Sequence, residues 1–195
     1  DAEPLMTRNA TAAARGLARL TSVRASSRET RARRGVHGGL GSGLECNHCH
    51  GGFTFTDNIR HQKLPLAERG FHNTGLYNLD GKGAYPANNV GISELTGNPD
   101  DMGQFRTPTL RNVALTAPYM HDGSIPTLQQ VIREHYAQAG RAGNTPAGPN
   151  PMRSSLIAGF DVSEQEVTDL VAFLNALTDK TFIQNPRHGN PWLSR

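Results

Sequence analysis

Residues 45–52 read Glu45-Cys46-Asn47-His48-Cys49-His50-Gly51-Gly52 and hold the only two cysteines and two of the eight histidines of this 195-residue chain. Cys46-x-x-Cys49-His50 admits three chemistries. It is the attachment pattern of c-type haem: two thiols add to the two vinyl groups on one porphyrin edge, and the adjacent imidazole reaches the iron. It could be half of a zinc site, but zinc needs four ligands, and neither a second Cys pair nor a separate H-x(3–5)-H pair exists. It could be a redox dithiol, but that motif opens a helix in a βαβ context, which this sequence lacks. Haem c is the leading reading.

The rest of the composition suits a domain with a cofactor in its core. Hydrophobic residues make up 36%, while Gly and Pro together number 33. The chain is therefore lean in core formers and rich in turns. No run of 18 or more apolar residues exists, so no membrane span is expected. The chain opens Asp1-Ala2-Glu3, without an initiator Met or an apolar signal core. It reads as a mature or truncated product, with no localisation signal of its own.

The formal charge of +3 is unevenly spread. Residues 1–34 carry eight Arg and three acids, whereas residues 35–195 are net negative at −2. A basic arm can bind nucleic acid or a membrane surface, but no aromatic residue is interleaved for base stacking. Residues 1–42 are read as a solvated, poorly ordered Arg/Ala/Ser/Gly arm with one helix over 8–24, and no nucleic-acid partner is expected.

Residues 43–185 are read as the folded domain and 186–195 as a tail. From 51 to 126 turn residues dominate, above all in "NLDGKGAYPANNVGISELTGNPDDMG" (78–103). A loop this long in a compact domain is expected to wrap something. A helix is predicted from Thr127 to about Gln138, with Thr127 as N-cap and Leu128, Val131, Ile132 and His135 on one face. A second runs from Ser163 to about Asp179, opened by a Ser163/Glu166 capping box and striped by Val167, Leu170, Val171, Leu174 and Leu177. No strand alternation persists. The expected fold is all-α, a cytochrome c-like haem domain with long Gly/Pro-rich loops.

Four runs sharpen this: "CNHCHGGFTFTD" (46–57), "RGFHNTGLYN" (69–78), "FRTPTLRNVALTAPYMHDGSIPTLQQVIREHY" (105–136) and "GFDVSEQEVTDLVAFLNALTD" (159–179). In content and order they resemble the C-terminal haem domain of the bacterial di-haem cytochrome c peroxidases and MauG. The resemblance implies haem c held by Cys46 and Cys49, with His50 as proximal ligand. It implies a distal ligand on the helix after "TAPYMHDG", a Met in the peroxidases and a Tyr in MauG. Counting without gaps from Thr116 brings that position to His135. Tyr136 is the alternative if the register slips by one residue, and Met120 is a weaker one. A His50/His135 pair would be low-spin, with a potential below that of His/Met. The resemblance also places main-chain oxygens of Thr116 and Pro118 at a calcium site, although two carbonyls alone do not hold calcium. His72 is assigned a place near a haem propionate, and His121 and Asp122 the fixing of a turn.

The implied activity is electron relay for the reduction of hydrogen peroxide. The implied donor is a small cytochrome or cupredoxin, and the implied location the periplasm, where haem c is attached. Family members carry a second Cys-x-x-Cys-His in a peroxidatic domain, and this sequence has one. The sequence therefore predicts a truncated or divergent chain with little peroxidase activity alone, and assigns no catalytic residue. Two alternatives stay open: a self-sufficient mono-haem electron carrier, and a zinc-stabilised interaction domain.

Overall fold

The structure, a computed structural model, describes residues 44, 46–59, 70–140, 148–190 and 192. The expected basic arm and its helix lie outside the described residues. In chain order the main elements are a 3-10 turn Cys46–His48, strand β1 (Phe71–His72), helix α1 (Ser93–Thr96) and strand β2 (Phe105–Arg106). Helix α2 (Leu128–Gln130) then runs directly into a π-helix (Val131–Tyr136), followed by helices α3 (Glu164–Ala176) and α4 (Lys180–Ile183).

The all-α expectation is thereby corrected. β1 and β2 form an antiparallel ladder, Phe71 opposite Arg106 and His72 opposite Phe105. The helices are short apart from α3. A two-residue ladder is too short to leave an alternating pattern in sequence, so periodicity could not find it. The helix predicted over 127–138 is α-helical for three residues only. Its N-cap is where it was expected: Thr127 Oγ1 accepts from Gln130 N at 3.2 Å.

α3 forms for the reasons visible in its sequence. Ser163 Oγ accepts from Glu166 N at 3.3 Å, and Ser163 N donates to Glu166 Oε2 at 2.8 Å, closing the capping box. Val167, Leu170, Phe173 and Leu174 bury against Leu128 and Ile132, making the main core. Burying each such side chain contributes roughly 1.5–3 kcal/mol. Phe55 joins from the loop after the cysteine motif, edge-on to Phe173 with ring centroids 5.8 Å apart. The core thus links α3 to the segment that carries Cys46, Cys49 and His50.

The long loop between β1 and β2 is organised by buried amides rather than by a hydrophobic run. Asn73, Asn78 and Asn150 are almost fully buried. Asn78 Nδ2 donates to the carbonyls of Gly148 and Pro149, and its Oδ1 accepts from Gly83 N. Asn150 Nδ2 donates to Tyr77 O at 2.6 Å. Each amide thereby satisfies loop backbone that burial removes from water. Gly103 is obligatory here: at φ +70 its absent Cβ would meet the Tyr85 ring at 2.1 Å.

Tyr85 is the hub of this network. Its hydroxyl donates to Asn73 Oδ1 at 2.9 Å and accepts from Leu76 N at 3.1 Å. Burial pushes its phenol up to about 12. The unfolded chain releases this proton near pH 10, so the associated stability is complete below pH 10 and lost as pH rises through 12. Over that window it amounts to about 3 kcal/mol. Denaturant unfolding at pH 8 and pH 11.5 should show a steep alkaline loss. In Tyr85→Phe, weaker at pH 8 for want of its hydrogen bonds, the loss should be much shallower.

Candidate functional site

Helical spacing places the three motif residues together. The 3-10 turn over Cys46–His48 is followed by a bond from His50 N to Cys46 O at 2.9 Å. Positions i, i+3 and i+4 then share a face. Cys46, Cys49 and His50 all line one cavity, while Asn47 and His48 are exposed. The cavity is about 780 Å³ including its open mouth, and its walls are mostly apolar. β1 and β2 contribute His72, Phe105 and Arg106 to one wall, and residues 156–160 form another.

His50 is fixed in one tautomer. Its Nδ1 lies 3.0 Å from the carbonyl of Phe55. A carbonyl only accepts, so Nδ1 carries the proton and Nε2 keeps the lone pair that a metal takes. Phe55 adopts φ +53 to present that carbonyl. Burial holds the imidazole below its usual pKa, which keeps it neutral. The loop behind it is stitched to residues 105–111. Thr56 Oγ1 and Asn58 Nδ2 both donate to Thr107 O at 2.8 Å, and Arg111 donates through Nε and Nη2 to Phe53 O.

Neither cysteine is in a disulfide. Cys49 is pushed up to about 11, by burial first and then by the negative charge of Asp57. A reactive dithiol has a lowered pKa, so the redox reading loses support. Zinc fares little better. Among the described residues the one Cys/His/Asp/Glu cluster able to hold a metal is Cys49, Asp57 and His72, and Cys46 is not in it. The Cys2His2 arrangement is not formed by the described residues.

Opposite the motif the π-helix sets the register. Ala137 N donates to Ile132 O and Gly140 N to His135 O, both at 2.9 Å and both five residues back. A gap-free count assumes α-helical turns, but each wide π turn absorbs one more residue. Tyr136 lines the cavity with Cys46, Cys49 and His50, and His135 does not. Burial raises the Tyr136 phenol, and the nearby Cys49 and Cys46 raise it further. His135 is fully buried behind it, edge-on to the Tyr136 ring at 4.8 Å. Neither His135 ring nitrogen has a hydrogen-bond partner among the described residues. Burial drives its pKa down to about 4.

The remaining candidates lie elsewhere. Met120 packs against the Leu76, Tyr85 and Ile125 cluster. Thr116 and Pro118 are exposed on either side of the Ala117–Pro118 cis peptide, outside the cavity lining. His121 stacks on Phe105 at 3.6 Å, and Asp122 accepts from Tyr77 Oη at 2.5 Å and from Ser124 N at 3.0 Å. His72 lines the cavity with its Nε2 2.6 Å from Asp57 Oδ2. Asp57 had no assigned role in the sequence; its place in the "FTFTD" run beside the motif was the available signal.

Comparison with known proteins agrees with this geometry. Residues 104–137 match the family described as RoxA-like, cytochrome c-like. The cytochrome-c peroxidase IdrP1 of Pseudomonas sp. (strain SCT) is 35% identical over 146 residues, covering 68% of this chain and 36% of that protein. The methylamine utilization protein MauG of Methylorubrum extorquens is 32% identical over 134 residues, covering 68% of this chain and 30% of that protein. A crystal structure of a MauG-like protein associated with microbial copper homeostasis superposes with a TM-score of 0.75 at 44% identity, over 93% of this chain and 47% of that one. The chain thus spans about a third of the length of these two curated relatives. The chain is therefore homologous to the di-haem cytochrome c peroxidases and MauG, with a RoxA-like cytochrome c segment, and is structurally close to a MauG-like protein.

Proposed function

We propose that this chain is the haem c electron-transfer domain, the C-terminal one, of a di-haem peroxidase-like or MauG-like oxidoreductase. One observation carries the reading: Cys46, Cys49 and His50 share one face of a turn and meet Tyr136 across a single apolar cavity. Haem c, when bound, supplies one-electron redox chemistry. Cys46 and Cys49 hold it covalently through their sulfurs. His50 offers Nε2 as proximal ligand, its ring locked by the Phe55 carbonyl. Tyr136 offers its phenol oxygen as distal ligand, which the π-helical register supports over His135. A bound ferric ion would favour the ionised form of this phenol, whose pKa burial otherwise raises. The apolar walls keep bulk water away.

With His50 and Tyr136 both holding the haem, this domain would relay electrons and leave peroxide to another site. In the complete enzyme we infer that two electrons and two protons convert H2O2 to two waters at a second haem. A small cytochrome or cupredoxin outside the cytoplasm is the proposed donor. Among the described residues no helix is long and apolar enough to cross a membrane.

Absorbance spectra of the haem-loaded chain, oxidised, reduced and with added peroxide, test the proposal. The expected result is a low-spin spectrum, reversibly reducible, that peroxide leaves unchanged. Absence of a Soret band would end the haem reading, and a rapid peroxide-induced change would show an open iron site.

A further inference from the structure

Asp57 and His72 form a half-buried pair beside Cys49. Their side chains are 14% and 19% exposed, with His72 Nε2 2.6 Å from Asp57 Oδ2. Donor atoms of Cys49, Asp57 and His72 all lie within 4.8 Å of one another. The carboxylate therefore stands beside the sulfur that would link to the haem edge. Its other oxygen, Oδ1, is buried with no hydrogen-bond partner among the described residues. A carboxylate with one oxygen unsolvated and unpaired projects its charge further than one dissolved in donors.

The pair is held rigidly. Thr56 and Asn58, on either side of Asp57, are both tied to the Thr107 carbonyl. His72 sits in β1, paired with Phe105 of β2. Gly70 closes the far side: a Cβ there would lie 2.9 Å from Asp57 Oδ1 and 2.1 Å from Asn58 Oδ1. The backbone thus approaches the carboxylate closely and offers it no room to turn towards water. Asp57 also bears on the proposed attachment and ligand residues, its charge acting on both Cys49 and His50.

We propose that Asp57, positioned by His72, sets the reduction potential of the haem in this cavity by holding a fixed negative charge beside the Cys49 attachment. The inference rests on the haem c reading above. A fixed anion stabilises the ferric form, which carries one more positive charge than the ferrous, and so lowers the potential. Asp57 is a positioning group for electron transfer and touches no reacting atom in this account.

The test is spectroelectrochemical titration of the haem-loaded full chain at one fixed pH, comparing wild type, Asp57→Asn and His72→Gln. Asp57→Asn keeps the shape and removes the charge, so its midpoint should shift upward. At an ambient potential equal to the wild-type midpoint, its ratio of reduced to oxidised haem should rise roughly tenfold, the scale of one poorly screened charge. His72→Gln keeps the carboxylate and should shift level or downward. A loosened cavity admitting water favours the ferric charge and also moves the midpoint down, so an upward shift is a signature that structural damage does not mimic. A haem-loaded Asp57→Asn protein whose midpoint is unchanged or lowered overturns the proposal. A wild-type chain that takes up no haem overturns the reading beneath it, and the two failures are distinguished by the Soret band alone.

Discussion

Replacing Cys46 and Cys49 together by alanine is expected to abolish covalent haem, from full occupancy to none, on a denaturing gel stained for haem. Each thioether forms as a thiol adds across a vinyl double bond, with sulfur bonding one carbon and the proton going to the other. Neither cysteine is in a disulfide and both line the cavity, as this addition requires. Cys49→Ala alone should retain haem through Cys46, with the reduced pyridine complex absorbing at the wavelength of a single thioether. The loss should extend to folding. The core gives α3 and α2 a common surface, and the cavity beside it, about 780 Å³ with its mouth, is walled mostly by apolar surface. A domain so lean in apolar residues has a small margin of stability, and a covalently fixed group that fills the cavity adds to it without any dissociation cost. Haem stain persisting in the double variant would remove the attachment reading altogether.

How much of this site could be read from residues alone depended on the range of the interaction. The motif, its haem chemistry and the capped helix opened by Ser163 are local patterns. Three to five residues decide each, and the structure forms a 3-10 turn at the motif and a capping box at Ser163 where the sequence put them. The long loop was recognised as unusual, yet what it wraps in the structure is in large part its own amide network. Buried asparagines look like ordinary turn residues in sequence, so the partners of Asn78 and Asn150, about 70 residues away, were invisible. The strand pair failed for a related reason: two residues carry no period, and their pairing is decided by what lies 33 and 35 positions downstream. The Asp57–His72 pair needed the same ladder to bring it together. The distal side shows a third kind of limit, in which a single hydrogen-bond register, i+5 in place of i+4, changes which of two adjacent side chains faces the cavity.

That register makes the distal ligand separable by mutation. Tyr136→Phe should keep the ring and its packing while removing the oxygen. The ferric spectrum is then expected to move from low-spin towards high-spin, and exogenous cyanide or imidazole should bind far more readily. A site that is open only about 1% of the time lowers apparent affinity roughly a hundredfold, and removing the competing ligand restores that factor. His135→Ala should leave spin state and ligand affinity as they are, because His135 lies behind Tyr136 and outside the cavity lining. Its effect should fall on packing instead, where a fully buried ring is lost from behind the π-helix. The opposite outcome, a high-spin His135→Ala and an unchanged Tyr136→Phe, would mean that the helix rewinds to α-helical spacing around the haem. The unpartnered nitrogens of His135 would then have found their partner in the iron. The two variants thus read the register of the helix directly, since one extra residue in the turn decides whether an imidazole or a phenolate stands across from His50.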